Sequence, residues 1–231
     1  MAAEPAHHAH RLPERSEAIE DYAKAIYMLA RRDGAPVATG SLAARLGVSP
    51  GTVTAMLKRM ADLGLVEYES YRGTSLTPAG EKLALELIRH HRLIEAYLAE
   101  ALGMPWDRVH DEAEVLEHYI SEELEERIAT ALGDPSHDPH GDPIPDRGLE
   151  LAADEGAVPL TELEVGRRGT FSRVSDSDPE MLRYLDQRGI RPGAELRVDE
   201  HEPFGGAVQV TVGDASHAIG ERLARRMLVS R

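Results

Sequence analysis

From Ser16 to Gly133 apolar residues recur every three or four positions, whereas beyond Val158 they fall into short alternating runs. The first spacing is typical of amphipathic helices, and the second is typical of strands. The first helix is expected to end at Asp33-Gly34, because glycine readily takes the left-handed conformation that closes a helix. The pattern therefore predicts a helical N-terminal part followed by a small β-sheet domain.

Two short helices separated by a tight turn are predicted over residues 41–63. Gly47 closes the first helix, Ser49 is a good N-cap for the second, and Pro50 suits the first helical position. Residues 64–77 alternate around a glycine-containing turn, as in a β-hairpin. This order is typical of a winged helix, a DNA-binding fold, although any small helical domain with a hairpin is an alternative. The side chains expected to contact DNA are Ser49, Thr52, Thr54, Lys58, Arg59 and, in the wing, Arg72.

The net charge of −15 argues against a protein whose whole surface binds nucleic acid. The charge is unevenly distributed, however. Residues 36–60 carry Arg45, Lys58 and Arg59 and no acidic residue, while most of the excess acid lies between residues 81 and 150. A locally basic segment at the predicted helix-turn-helix fits DNA contact.

The acidic middle of the chain contains possible metal ligands. Residues 106–132 include neither glycine nor proline, so a helix is expected to run through this segment. At about 100° per residue, His110, Glu114, Glu117 and His118 fall on one face of that helix. One helix cannot close a coordination sphere alone, so a second segment would have to supply further ligands. The alternative is a solvated acidic helix face.

A second pair of ligand-type residues lies on the preceding predicted helix, which begins at Pro78 and ends near Leu102. His91 and Glu95 are one helical turn apart and therefore share a face. Two such residues beside the acidic segment favour a metal site, while a core or surface histidine remains the alternative.

The chain contains no cysteine, which excludes disulfides, thiolate zinc sites, iron–sulfur clusters and cysteine nucleophiles. No apolar run approaches the length of a membrane span, and the N-terminus lacks the apolar core of a secretory signal. These features favour a cytoplasmic protein that does not bind membranes.

Three segments are predicted to lack regular structure. Residues 1–15 are expected to form a disordered tail, and residues 146–157 a flexible linker. Residues 134–145 are punctuated by proline and glycine and are predicted to be a loop, in which His137 and His140 have no special role.

The last third of the chain is typical of a small β-barrel. Short strands are predicted at residues 169–174, 194–198, 207–212 and 227–229, with one helix over residues 179–188.

A set of short motifs runs through the whole chain. They are Asp21-Tyr22, Ser49-Pro50 in the predicted winged helix, Arg89-His90-His91-Arg92-Leu93, Trp106 to His110, Glu114-x-x-Glu117-His118, and Gly141 to Pro145. In residue type and order these motifs resemble the diphtheria toxin repressor family of metal-dependent transcriptional repressors. The combination is far more specific than a winged helix alone.

The resemblance implies a mainly α fold with a small β part. It places a winged helix-turn-helix domain over residues 16–80, a helical dimerisation and metal-binding domain over residues 81–145, and an SH3-like (FeoA-like) barrel over residues 158–231. It also implies a homodimeric repressor, not an enzyme, whose partner is a near-palindromic double-stranded DNA operator and whose corepressor is a metal ion.

The family's ligands can be transferred to the matching positions of this chain. The resemblance implies two metal sites, each built from carboxylates and imidazoles. The primary set would be Asp21, Glu114, Glu117 and His118, and the second set His91, Glu95, His110 and, from the barrel, Asp178.

Mn²⁺ is the predicted ion and Fe²⁺ the alternative. Carboxylate-rich sites suit Mn²⁺, and the iron-sensing members resemble this chain less because they carry methionine and cysteine where Asp21 and Glu114 stand. Two other classes are alternatives: a metallohydrolase, which leaves the winged helix unexplained, and a regulator of organic ligands, which leaves the spacing of His and Glu unexplained.

Overall fold

The computed structural model describes residues 16–152, 156–175 and 178–231. The predicted tail, residues 1–15, lies outside these ranges, and so does part of the predicted linker. The chain divides into two compact units, Met1–Leu87 and Ile88–Arg231, and each is described by itself.

The first unit is the predicted winged helix. Ser49 caps the third helix by accepting a hydrogen bond from the Thr52 backbone N–H at 3.1 Å, and Pro50 occupies the first turn. Ile26, Leu42 and Leu57 are fully buried between the helices. The elements are α1 (Glu17–Asp33), α2 (Thr39–Leu46), α3 (Pro50–Asp62), β1 (Val66–Glu69), β2 (Gly73–Leu76) and the first part of α4 (Pro78–Glu100).

The second unit begins with the rest of α4 and two shorter helices, α5 (Val109–Leu116) and α6 (Glu122–Ala131). The prediction of one continuous helix here was wrong. Ser121 caps α6 by accepting a hydrogen bond from the backbone N–H of Leu124, so the chain restarts a helix without any glycine or proline. A good N-cap residue was the signal for this break.

The sheet domain follows in the same unit, as predicted. Its antiparallel strands are arranged in the order β3-β8-β4-β5-β6-β7 around a core that includes Phe171, Leu185 and Val198. The elements are β3 (Val158–Pro159), β4 (Arg168–Val174), α7 (Pro179–Asp186), β5 (Glu195–His201), β6 (Val208–Val212), β7 (Ala215–Ile219), α8 (Glu221–Ala224) and β8 (Met227–Ser230).

Two strands of the sheet were not predicted, namely the two-residue β3 and the longer β7. β7 pairs with β6 through the whole of Ala215–Ile219, yet its sequence is mostly small and polar. β7 lies at the edge of the sheet and pairs with a strand on one side only. At such a position, alternation of apolar residues is not required. Its sequence therefore carries little strand signal.

The loop after α6 packs directly on β4. The backbone N–H of Val174 donates to the carbonyl of His140 at 3.0 Å. Gly141 has a φ of 87°, and a Cβ at this position would lie 1.9 Å from the carbonyl oxygen of Ser172. Glycine is therefore required here both for its backbone conformation and for the close approach of two backbones.

No helix in the described part of the chain is both long enough and apolar enough to cross a membrane.

Candidate metal centre

The side chains of α4 that face α5 are unusual because they are polar and buried. His91 is 5% exposed and Glu95 is 0% exposed, one turn further along the helix. Burying charged groups is costly unless they are paired or bind a metal, so these side chains need partners. The partners come from α5 and from the loop after α6.

The first group, which we call the helical cluster, consists of His91, His110 and Glu114. It can offer three ligand atoms that all lie within 4.8 Å of one another. His91 Nε2 lies 3.1 Å from His110 Nδ1, and Glu114 Oε1 lies 3.8 Å from His110 Nε2. The predicted face of α5 thus does meet His91, although Glu114 was assigned to a different set from the two histidines.

Glu117 and His118 lie just beyond the end of α5. Glu117 still has helical backbone angles as the C-cap, and its fully buried carboxylate hydrogen-bonds Nδ1 of His91. His118 Nε2 lies 3.8 Å from Glu117 Oε1. Asp21, the remaining member of the predicted primary set, belongs to the first unit on α1, and its ligand role stays a prediction.

A second group, which we call the loop cluster, consists of Glu95, Asp138 and His140. All three residues are buried, and their ligand atoms also lie within 4.8 Å of one another. His140 Nδ1 is 3.6 Å from Glu95 Oε2 and 4.0 Å from Asp138 Oδ1. Glu95 also contacts the helical cluster, because its other oxygen is 3.2 Å from His110 Nδ1.

The loop cluster was missed by the sequence analysis. Asp138 and His140 lie in a segment rich in proline and glycine, for which only a loop was predicted, and no helical periodicity relates them to Glu95. The one available signal was the Asp-x-His spacing. In the structure, Asp138 Oδ1 accepts hydrogen bonds from the backbone N–H groups of His140 at 2.8 Å and Asp142 at 2.9 Å, which fixes a tight turn.

Arginines hold this loop against α4 and the sheet. Arg92 donates to the carbonyl of Pro143 at 2.5 Å and lies 3.4 Å from Asp142. Arg173 on β4 lies 3.3 Å from the same Asp142 carboxylate. Arg89 on α4 donates to the carbonyl of Pro145 at 2.6 Å. The loop is therefore fixed at several points, and its ligand-type side chains are held in place.

The two buried carboxyls of the loop cluster differ in their protonation. Burial raises the pKa of Glu95, but hydrogen bonds from His110 and His91 outweigh this effect and hold the pKa well below its usual value. Burial raises the pKa of Asp138 well above its usual value, and the nearby Asp142 and Glu95 carboxylates add to the effect. The cluster thus joins a carboxylate that ionises easily to one that resists ionisation, and a bound cation would favour the ionised form of both.

Asp178 does not join either cluster. Its carboxylate accepts from the backbone N–H groups of Glu180 at 3.2 Å and Met181 at 3.4 Å, and it pairs with Arg222 at 2.5 Å. Its role as a ligand of the second site stays a prediction. A short carboxylate just before a helix is well placed to cap that helix, and Asp178 caps α7.

A third polar group, half-buried around Glu125, joins α4 and α6. Glu125 on α6 lies 2.5 Å from Arg89 Nε and 3.0 Å from His90 Nε2. His90 Nδ1 in turn lies 3.1 Å from the carbonyl oxygen of Glu117. Burial raises the pKa of Glu125, but hydrogen bonds from His90 and Arg89 outweigh this effect and keep it below the usual value. This network connects α4 and α6 to the residue that follows α5.

The donors of both clusters fit a divalent cation. Each cluster combines carboxylate oxygen with imidazole nitrogen, and the chain contains no cysteine. The loop cluster, with two carboxylates and one imidazole, suits Mn²⁺, whereas the helical cluster, with two imidazoles and one carboxylate, also suits Fe²⁺. Thiolates would favour softer ions. The buried carboxylates also supply negative charge that a cation would neutralise.

The predicted DNA-binding side chains lie on α3 and in the β-hairpin of the first unit. Thr52, Lys58 and Arg59 are exposed, whereas Thr54 is half-buried and donates to the Pro50 carbonyl at 2.9 Å. The side chain of Ser49 is used in the helix cap, and Arg72 in the wing pairs with Glu69 at 3.1 Å in an exposed position. Their contacts with DNA stay a prediction.

Comparisons with known families cover almost the whole chain. Residues 14–74 match the family model "Iron dependent repressor, N-terminal DNA binding domain". Residues 77–146 match "Iron dependent repressor, metal binding and dimerisation domain", and residues 158–231 match "FeoA domain".

Individual relatives agree with these matches. The "Iron-dependent repressor IdeR" of Mycobacterium tuberculosis H37Rv is 33% identical over 224 residues, which cover 92% of this chain and 96% of the relative. The "Diphtheria toxin repressor" of Corynebacterium diphtheriae is 37% identical over 194 residues, covering 79% of this chain and 84% of the relative.

Solved structures show the same similarity. A structure described as "Manganese-dependent transcriptional repressor complex with manganese" is 39% identical, covers 92% of this chain and 99% of the other, and has a TM-score of 0.83. The manganese regulator SloR is 32% identical, with a TM-score of 0.71 and coverage of 92% and 98%. With winged helix, metal-binding helices and FeoA domain matched in order over nearly its whole length, the chain belongs to the diphtheria toxin repressor family of metal-dependent transcriptional repressors.

Proposed function

We propose that this repressor binds operator DNA when Mn²⁺ occupies the acidic sites of its second unit, with Fe²⁺ as the alternative ion. The observation that carries the proposal is the buried group of Glu95, Asp138 and His140, in a chain that contains no cysteine. Because the family consists of DNA-binding repressors and not of enzymes, the metallohydrolase alternative is rejected.

The relatives do not decide which ion is used. The IdeR relative is named as an iron-dependent repressor, whereas a similar solved structure is named as a manganese-dependent repressor. The preference for Mn²⁺ therefore depends on ligand chemistry. Asp21 and Glu114 are hard oxygen donors, and oxygen donors suit Mn²⁺ better than they suit the later, softer ions.

We assign the ligands to two sets. The first set is Glu114, Glu117 and His118, to which the family resemblance adds Asp21. The second set is the loop cluster, in which Asp138 and His140 replace Asp178 as partners of Glu95. His91 contacts both Glu95 and Glu117, so it links the two sets.

The proposed control of DNA binding follows from charge. Without a cation, the carboxylates of the first set repel one another, and a bound divalent ion supplies the positive charge that removes this repulsion. Asp21 belongs to the DNA-binding unit, so including it in the set would make the state of that unit depend on the ion. An ion that binds the DNA-competent state more tightly than the other state shifts the population toward the DNA-competent state.

Dimerisation completes the proposal. Large apolar side chains are exposed on α5, on α6 and between them, among them Val115, Leu116, Tyr119 and Leu124. Exposed apolar groups of this size commonly mark interfaces, and this region matches a dimerisation domain. A twofold-symmetric dimer would present two α3 helices to two half-sites of a near-palindromic operator, in the cytoplasm.

The test compares Glu117→Ala with Glu112→Ala. Both substitutions remove an acidic side chain on α5 or at its C-cap. Glu112, however, is exposed and belongs to neither ligand set. Duplexes selected from a random-sequence pool by the parent protein in Mn²⁺ serve as the probe. We expect Glu117→Ala to lose metal-dependent binding in a gel shift while remaining folded and dimeric, and Glu112→Ala to bind like the parent.

Equal binding by the parent and Glu117→Ala in Mn²⁺ would show that the ligand assignment is wrong. Equilibrium dialysis of the parent against Mn²⁺ and Fe²⁺ separately tests the choice of ion. Failure to bind either ion would overturn the proposed function itself.

A further inference from the structure

The chain has a single tryptophan, Trp106, and it lies in an unexpected place. It belongs to the connection between α4 and α5, in the helical part of the second unit. Yet its side chain is 1% exposed and packs within the apolar core of the sheet domain, together with residues such as Leu160, Phe171 and Leu185. The indole therefore anchors the helical part in the sheet domain.

Polar contacts surround this anchor. The guanidinium of Arg191 lies 5.3 Å from the centre of the Trp106 ring, within the range of a cation–π contact. The next residue, Asp107, forms an ion pair with Arg183 of α7 at 2.9 Å. Trp106 and Asp107 are thus held by the sheet domain through both apolar and charged contacts.

Trp106 also makes two contacts with His140 of the loop cluster. The His140 ring stacks on the indole, with ring centres 5.8 Å apart and an angle of 17° between the planes. Nε2 of His140 donates to the backbone carbonyl of Trp106 at 2.8 Å. A carbonyl oxygen can only accept, so Nε2 must carry a hydrogen.

This hydrogen bond decides which ring nitrogen can bind a metal. A neutral imidazole carries one hydrogen, and when that hydrogen is on Nε2 the lone pair is on Nδ1. Nδ1 is the atom that faces Glu95 and Asp138, at 3.6 and 4.0 Å. The carbonyl fixes the proton position, and the stacked ring fixes the plane of the imidazole.

We propose that Trp106 is a positioning residue for a divalent cation held by Glu95, Asp138 and His140, and that it links occupancy of this loop cluster to the packing of the sheet domain on the metal-binding helices. The inference rests on the proposed function, since it assumes that the loop cluster binds metal. By thermodynamic linkage, a cation that prefers the packed arrangement also stabilises that arrangement.

The single tryptophan makes the proposal directly measurable. A cation held by the imidazole that stacks on the indole lies close to the fluorophore, and indole emission responds to nearby charge. We expect titration of the metal-free parent with Mn²⁺ to change Trp106 emission in step with cation binding at the loop cluster.

Asp138→Asn is the matched variant, because the asparagine oxygen can still accept the two backbone hydrogen bonds that hold the loop. It should lose the emission change, whereas Glu112→Gln, an exposed substitution on α5 outside both ligand sets, should keep it. An emission change of the same size and midpoint in Asp138→Asn and in the parent would overturn the proposal.

The positioning role is tested with Trp106→Leu and Trp106→Phe. Leucine retains apolar volume but removes the stacked ring, and phenylalanine keeps a ring. Removing residues that orient metal ligands typically costs 10- to 100-fold in affinity. In equilibrium dialysis, we expect Trp106→Leu to lower the Mn²⁺ affinity of the loop cluster about tenfold. Trp106→Phe should recover most of this affinity, and the affinity of the remaining sites should not change.

Thermal unfolding by circular dichroism verifies that each variant is folded. If Trp106→Leu does not fold, Trp106→Phe together with the parent fluorescence titration still decides the question. Unchanged Mn²⁺ affinity of the loop cluster in a folded Trp106→Leu would overturn the positioning role. Metal-dependent DNA binding with no response of Trp106 would overturn this inference alone, whereas absence of any metal binding would overturn the proposed function.

Discussion

The helical cluster and the loop cluster meet at Glu95 but are built in opposite ways. The helical cluster is composed of side chains on regular helices and is partly open to solvent, since the side chain of Glu114 is 44% exposed and that of His110 33%. The loop cluster uses an irregular segment and is buried, with His140 and Glu95 fully inaccessible.

The difference shows how the two clusters depend on the rest of the molecule. The helical cluster needs only α4 and α5, whose spacing is set by helix geometry. The loop cluster needs the turn at Asp138 and the arginines of α4 and β4 that hold the loop. It also needs the indole of Trp106, which is buried in the core of the sheet domain. We therefore expect the loop cluster to respond to changes in domain packing and the helical cluster to be largely independent of them.

The largest effect is expected from Glu95→Gln, because Glu95 contacts both clusters. The variant keeps the side-chain volume and removes the negative charge. Loss of a ligand should cost at least as much as loss of a residue that orients one, so we expect Mn²⁺ affinity to fall by about 100-fold or more. Equilibrium dialysis measures the affinity, with Glu112→Gln as the control. A loss confined to the loop cluster would show that Glu95 does not also support metal binding at the first ligand set.

A smaller effect is expected from Asp138→Asn, which should raise the free energy of unfolding of the metal-free protein. The folded-state pKa of Asp138 is raised above its unfolded value, which is about 4. The folded state therefore retains this proton where the unfolded state loses it, so the contribution of Asp138 to stability falls as pH rises above about 4 toward the raised pKa. Each pKa unit of difference corresponds to about 1.4 kcal/mol.

Asp138→Asn carries no ionisable group at residue 138. Metal-free Asp138→Asn should therefore be more stable than the parent at neutral pH, although it binds Mn²⁺ less tightly. Denaturation with urea in the presence of a chelator, at several pH values from 4 to 8, provides the comparison. Parallel curves for the two proteins would contradict the assignment of the raised pKa.

Asp178→Ala separates the structural role of this residue from the predicted one. As the N-cap of α7, Asp178 should contribute about 1 kcal/mol to stability, and its loss should lower the melting temperature without changing Mn²⁺ binding. As a ligand, it would affect Mn²⁺ affinity instead. Dialysis and thermal unfolding of the same preparation distinguish the two, and weakened metal binding would restore the role that the family resemblance implied.

The smallest effect is expected from Arg59→Ala, which acts in the other unit. Removing one phosphate contact should lower the slope of log affinity against log salt by about one unit, while both ligand sets retain their metal affinity. Anisotropy titrations of operator DNA at several salt concentrations measure the slope. Glu67→Ala, an exposed change on the nearby wing, is the control. An unchanged slope with full affinity would place Arg59 outside the interface.

Regular structure explains what the sequence could and could not reveal. His91 and Glu95, and likewise His110 and Glu114, are four residues apart, and helix geometry alone brings each pair to one face. The winged helix and its caps were predictable for the same reason, because Ser49, Pro50 and Gly47 act locally.

The remaining features depend on contacts between distant residues. His140 becomes buried beside Glu95 only because Arg92 and the Asp138 turn fold the loop back on α4, and no spacing in the sequence encodes that arrangement. The family resemblance implied an acidic ligand from the barrel and made Asp178 the candidate, whereas in the structure this carboxylate accepts hydrogen bonds from the first turn of α7.

The contact between Gly141 and β4 limits which sequences this junction can accept. The gap between the two backbones leaves no room for even a methyl group, so the restriction at position 141 is one of distance and not of chemical type. Replacement by asparagine, which tolerates a positive φ, would still force the strand and the loop apart. A lineage that changes residue 141 would therefore be expected to reshape residues 172–173 at the same time, so that the two segments evolve as a single unit.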